Sequence, residues 1–217
     1  MKTPERVSGA LAYLKDGRLW LCVVGIFLGA AAEGTMGQWA SGYLEQALGI
    51  PKVWGDIGGV ALFGAMLGLG RSLYAKRGKH IGRVLFFSAL GATACYLVAA
   101  LCGVPLVGLI ACAFTGFCVA MLWPGSLVVA ERRFPEGGVF IFAMMAAGGD
   151  LGIAVVPQLV GVVTDLTIGS SAAGQWAASL SLSPEQLGLR LGLLVGALFP
   201  LAALLVYRRL WKKYENQ

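Results

Sequence analysis

The stretch from Val84 to Ala130 contains no charged residue. As a single helix it would be about 70 Å long at 1.5 Å per residue, more than twice the roughly 30 Å hydrocarbon core of a bilayer. It must therefore fold back on itself, and Gly103-Val104-Pro105 supplies the turn residues near its middle. The rest of the chain agrees with a non-aqueous solvent. Of its 217 residues 58% are apolar and 13% charged, with a mean hydropathy of +0.76, against about 45–50% and 25% in an average soluble domain. Charge this scarce cannot cover a water-facing surface, so the fold class expected is an all-α integral membrane protein.

Around the central hairpin the apolar windows predict six spans, at about 19–44, 56–75, 84–103, 105–130, 138–164 and 188–208. They divide the chain into an N-terminal segment 1–18, a membrane domain 19–208 and a tail 209–217. With the N-terminus inside, the inner segments hold fifteen Lys and Arg residues, from Lys2 and Arg6 through Arg71, Lys79 and Arg133 to Lys213, and only Lys52 and Arg190 fall outside. That asymmetry predicts a multi-pass protein of the cell (inner) membrane with both termini cytoplasmic. The longest external segment, about 165–187, reads as a loop with room for a short interfacial helix. The first eighteen residues lack the apolar core of a signal peptide, so no cleaved segment is expected.

The net charge of +6 sits in short clusters between apolar runs instead of along one stripe, which argues against nucleic acid. The five cysteines are odd in number, lie in apolar runs and have neither Cys-x-x-Cys spacing nor histidines beside them. Neither a disulfide framework nor a metal site is expected, and they read as small packing residues. The one histidine, His80, is in a basic segment, and Gly125-Ser126 lacks the rest of a nucleophile elbow. No P-loop or dinucleotide fingerprint appears, so no catalytic residue, no cofactor and no enzyme activity are expected.

Glycines four apart, at Gly25/Gly29, Gly64/Gly68, Gly148/Gly152 and Gly188/Gly192/Gly196, predict close helix packing. Charge at the centre of a span is expensive and marks a functional candidate. Glu33 and Asp150 lie near the centres of the first and fifth spans, accompanied by Thr35, Gln38 and Trp39, by Trp123 and Pro124, and by Pro157 and Gln158. At about 100° per residue, Thr35, Gln38, Gly42 and Glu45 share one sector, a polar stripe suited to a water-filled cavity, and Glu33 falls on the opposite side, toward a neighbouring helix. Asp150 shares its face with Ala143, Ala147, Ala154, Pro157 and Gly161. That small-residue surface favours a hydrogen bond across a tight interface over proton or substrate binding. For Glu33 both readings stay open, and desolvation, which favours the neutral form of a carboxyl group, is the physical basis on which such a residue couples to protons.

The residues carry a resemblance. AAEGTMGQWASGYLEQALGIPKVWGDIGG, LGLGRSLYAKRG, FTGFCVAMLWPGSLVVAERRFPEGG and AAGGDLGIAVVPQLVGVVTD, within residues 19–166, resemble the C-terminal six-helix half of a major facilitator superfamily permease, in particular the bacterial fucose-permease-like sugar transporters. Of the family's cytoplasmic loop signature Lys76, Gly78 and Lys79 are in place. Ala75 stands where an aspartate belongs, and Arg71 stands at the first glycine position with Gly70 one place early. The resemblance implies two inverted three-helix repeats, with spans one and four lining a cavity. It thereby points to Glu33, Thr35, Gln38, Trp39 and Trp123, and with them Asp150 and Gln158, as substrate- or ion-binding residues. It implies a proton-coupled transporter half for a small, sugar-like solute that pairs with a second six-helix half or forms a homodimer in the bilayer. The alternative is a non-transporting membrane subunit or an inactive fragment of a permease.

Overall fold

The computed structural model describes residues 11–214. Lys2 and Arg6 of the N-terminal segment and the end of the tail lie outside the described residues. Six helices are long and apolar enough to cross a membrane: Gly17–Gln46, Lys52–Lys76, Ile81–Leu101, Pro105–Arg133, Gly138–Ile168 and Pro184–Lys212, spans one to six here. The expected count holds. The helices mostly overrun the apolar windows, because helical hydrogen bonding continues beyond the lipid wherever no breaker stops it.

Local chemistry sets the ends. Asp16 caps span one by accepting from the Arg18 N–H at 2.8 Å. The Arg18 guanidinium also binds that carboxylate and holds it well below the usual carboxylate range, at about 2. Pro105 opens span four, where its missing N–H would have found no helical partner. In the segment expected to be external, Asp165 still belongs to span five, and a short helix, Ser171–Ser179, follows. Its Ser170 cap accepts from Ala173, and Trp176 is exposed on it.

Two spans are interrupted. Span two passes through a π turn at Ile57–Ala61, where Gly58 and Gly59 are buried. Span four is two helices, Pro105–Val119 and Leu122–Arg133, separated at Ala120–Met121.

The packing follows the internal symmetry of two inverted triplets. Span one packs on five and span four on two; span one packs on six and span four on three; spans three and six pack on each other, as do one and four. Exchanging the first triplet with the second maps these pairs onto one another. One pair breaks the rule: spans five and six pack extensively, whereas two and three make no comparable contact.

Close approach needs residues without side chains. A Cβ at Gly152 would lie 2.3 Å from the Phe27 carbonyl oxygen, and one at Gly116 would lie 2.2 Å from that of Phe63. These glycines close the span five–one and four–two interfaces. Of the glycines expected to pack, Gly64 and Gly68 meet nothing within 4 Å. Span two is mostly exposed along that stretch, so its spacing there serves no helix contact among the described residues. Span one, the most enclosed together with span four, is held by buried tyrosines. Tyr96 of span three donates to Ala32 O at 2.7 Å, Tyr207 of span six donates to Gly25 O at 2.7 Å, and Tyr43 of span one donates to Ala99 O in span three. Tyr96 and Tyr207 use the second lone pair of a mid-helix carbonyl and Tyr43 supplies a donor to a carbonyl of the last helical turn, each bond worth on the order of 1 kcal/mol. All five cysteines are free, and Cys22, Cys112 and Cys118 are buried.

Candidate functional site

Gly70 brings span two against the break in span four: a Cβ there would sit 2.6 Å from Ala120 Cβ. The next residue, Arg71, uses this proximity. Its Nε donates to the Ala120 carbonyl at 3.2 Å and its Nη2 donates to Glu33 Oε1 at 3.1 Å. One guanidinium thus ties span one, span two and the break in span four. The Ala120 carbonyl closes the first half-helix, where the backbone dipoles leave partial negative charge. Arg71 therefore meets a full negative charge on one side and a partial one on the other.

The Glu33 side chain is 21% exposed and that of Arg71 44%. The second carboxylate oxygen, Oε2, is buried with no hydrogen-bond partner among the described residues. The carboxyl group is held through one oxygen and leaves the other without a donor.

Arg71 lies within the helix Leu62–Arg77, as does Lys76, so only Gly78 and Lys79 of the expected loop signature stand beyond it. Its role as the partner of Glu33 is what sequence reasoning missed. The signal was present, because residue 71 falls inside the predicted span 56–75, where a lone cation needs a counter-charge.

The polar stripe of span one does not act as one surface. Gln38 is exposed, but Thr35 is fully buried. Its methyl group faces Gly196, with Tyr96 alongside. A difference of about 60° around the helix separates the two, enough to put Thr35 over the edge of the buried face. Glu45 sits at the far end of the helix with Lys52 at 3.8 Å, and Lys52 also reaches Asp56 at 3.7 Å. Trp39 turns into the bundle: its indole N–H donates to the Pro157 carbonyl at 3.0 Å and its ring covers Gly161. Trp123 packs its indole edge on Gly149. These rings build helix contacts and do not flank Gln38.

Asp150 corrects the sequence reading most clearly. It is exposed, together with Ala143, Ala147, Ala154 and the neighbouring Gln158, whereas Pro157 is buried and Gly161 lies under Trp39, so the expected tight interface closes only at the far end of this face and not around Asp150. The small residues that pack are Gly148, Gly149 and Gly152, against Val23, Trp123 and Phe27. Span five carries two small-residue stripes on roughly opposite sides; Gly148 and Gly152 bind span one at the level of Asp150, and Asp150's own stripe meets span one only farther along, where Trp39 covers Gly161.

A cavity of about 690 Å³ lies beside the second half of span four and the start of span five, lined by Pro124, Leu127, Phe134, Ile141, Phe142 and Met145 among others. Among the described residues its walls carry no ionisable side chain apart from Glu131, and none of the expected binding residues faces it. No cluster of three metal-ligating side chains occurs among the described residues.

Residues 2–157 match the family model of the Major Facilitator Superfamily. No curated protein and no solved structure matches the chain.

Proposed function

The chain belongs to the Major Facilitator Superfamily, and on that premise we propose that it is one six-helix half of a proton-coupled secondary transporter. Membrane transport is the activity its family supports. The finer reading is a C-terminal-type half, similar to the fucose-permease-like branch, that moves a small, sugar-like solute across the cell (inner) membrane with both termini cytoplasmic and works with a second half or a second copy.

The observation that carries this reading is the Glu33–Arg71–Ala120 node. It joins the first helix of each triplet to span two, at the level where span four is broken. Discontinuous helices at mid-membrane are where transporters hold charged ligands and coupling ions. In this account a proton arriving at Glu33 Oε2 cancels the charge that holds Arg71. The guanidinium then keeps only the Ala120 carbonyl, and the grip of span two on span one loosens. Loss of the proton restores it. The exposed Gln38, Asp150 and Gln158 offer amide and carboxylate groups suited to a hydroxylated solute or to a facing half.

The test is solute-driven proton movement in everted vesicles containing the assembled transporter, screened with neutral monosaccharides and followed by a pH-sensitive dye. Uptake of protons on addition of one of them, abolished by Glu33→Gln at unchanged protein level, is the expected result. Full proton-driven transport in Glu33→Gln contradicts the role given to this carboxylate.

A further inference from the structure

The pair of helices that breaks the internal symmetry leaves a gap. Where spans five and six pack together, spans two and three stand apart. The gap holds two adjoining cavities, of about 600 and 280 Å³, that share Lys79, Val84, Ser88 and Phe117. Lys79, His80 and Arg83 rim the larger one, and its floor is apolar, with Phe87, Gly91 and Phe114. A smaller space of about 180 Å³ beside it brings Arg132 of span four to the same His80 and Arg83, with the Trp211 ring alongside. Among the described residues no acidic side chain lines any of the three.

We propose that this groove is a binding site for an anionic phospholipid, with the phosphate at Lys79, His80 and Arg83 and an acyl chain lying against Phe87, Phe114 and Phe117. The charge at the rim is of one sign, which fits a phosphate and disfavours a zwitterion whose ammonium would enter the same ring. The groove runs down span three from Ile81 to Gly91, about 15 Å at 1.5 Å per residue, which is half the hydrocarbon core and so the depth of one leaflet. Phe87 and Phe114 are 59% and 46% exposed on its walls, positions an acyl chain would cover. Trp211, with the Arg83 guanidinium 5.7 Å from its ring centre, marks the level of the headgroups. Lys79 and His80 of the connection between spans two and three, with Arg83 of span three and Arg132 of span four beside them, then surround one phosphate, and the chain below it fills the space that helix packing leaves open.

The experiment is native mass spectrometry of the intact chain, purified in mild detergent and titrated with dioleoyl phosphatidylglycerol, with dioleoyl phosphatidylcholine, or with inorganic phosphate. Phosphatidylglycerol is expected to be retained preferentially, with affinity falling about fivefold for each cation removed in Lys79→Gln and in Lys79→Gln with Arg83→Gln. Ser88→Trp, which fills the groove and leaves the rim charged, is expected to lose the lipid as well, whereas Lys52→Gln at the opposite end is expected to keep it. Equal retention of both lipids, displacement of phosphatidylglycerol by an equal concentration of inorganic phosphate, or unchanged binding in the folded Lys79→Gln and Ser88→Trp variants would each overturn the site.

Discussion

Arg71 and Glu33 meet at 3.1 Å across the interface of the first two spans, and the same guanidinium closes the end of a half-helix at Ala120. The two contacts have different chemistry. The ion pair vanishes when the carboxyl group is neutralised, whereas the bond to a backbone carbonyl does not. Arg71 is thus anchored at one end and conditional at the other, which is the arrangement a charge-driven rearrangement requires.

This asymmetry orders the effects of substitution. Arg71→Met removes both contacts and leaves Glu33 without a donor, and a loss on the order of 2 kcal/mol is expected for a partly exposed charged group of this kind. Glu33→Gln keeps an acceptor and should cost less. In the double variant the orphaned carboxylate is gone, so it should be more stable than the sum of the two singles implies. Thermal unfolding of the four proteins in one detergent measures this cycle, and simple additivity would mean that the pair contributes nothing.

Accessibility should split the polar side of span one. A cysteine at Gln38 in a background lacking native cysteines should react with a water-soluble thiol reagent, and one at Thr35 should not, because Thr35 is enclosed between Gly196 and Tyr96. Equal rates at the two positions would show that the helix is rotated from the orientation described.

Glycine substitutions should differ in sign by location. At Gly152 an added methyl meets a backbone carbonyl that cannot step aside, so Gly152→Ala should destabilise the bundle by about 1–3 kcal/mol. At Gly42 nothing lies within 4 Å. Gly42→Ala should be neutral or gain up to about 1 kcal/mol from helix propensity. The melting temperatures of the two variants, compared in the same detergent, check the contrast.

Much of this architecture was legible in the sequence, and the reason is physical. A bilayer fixes the length of a crossing helix, so the uncharged stretch from Val84 to Ala130 had to be a hairpin, and Pro105 with its neighbours had to be the turn. The mid-membrane polar residues could be found for the same reason, since each is costly there. Their partners could not. Whether Asp150 faces a neighbour depends on where along span five each of its two small-residue stripes meets span one, and both satisfy the same spacing. Trp39 next to Gln38 suggested a shared cavity, but adjacent residues on a helix point about 100° apart, and the carbonyl of Pro157 on another span captured the indole. The π turn of span two and the break in span four left no sequence signal beyond Gly58-Gly59 and Trp123-Pro124.

Reporter fusions after Val104 and after Gln175 should read outside and one after Lys79 inside, because these positions fall in the connections between spans three and four, five and six, and two and three. An inside reading at Gln175 would mean that one span does not cross, and would remove the basis for pairing the triplets.

The central claim is that the described bundle is half of a working transporter, and its exposed midplane groups make that testable by mass. Asp150 and Gln158 face outward from span five, and in lipid each such group costs on the order of a few kcal/mol until something covers it. Purified in mild detergent and examined by light scattering with the detergent contribution removed, the folded 22.7 kDa chain should be found as a particle of two six-helix units, either a homodimer or a complex with a second multi-span protein. A monodisperse, folded particle holding one six-helix unit would contradict the account.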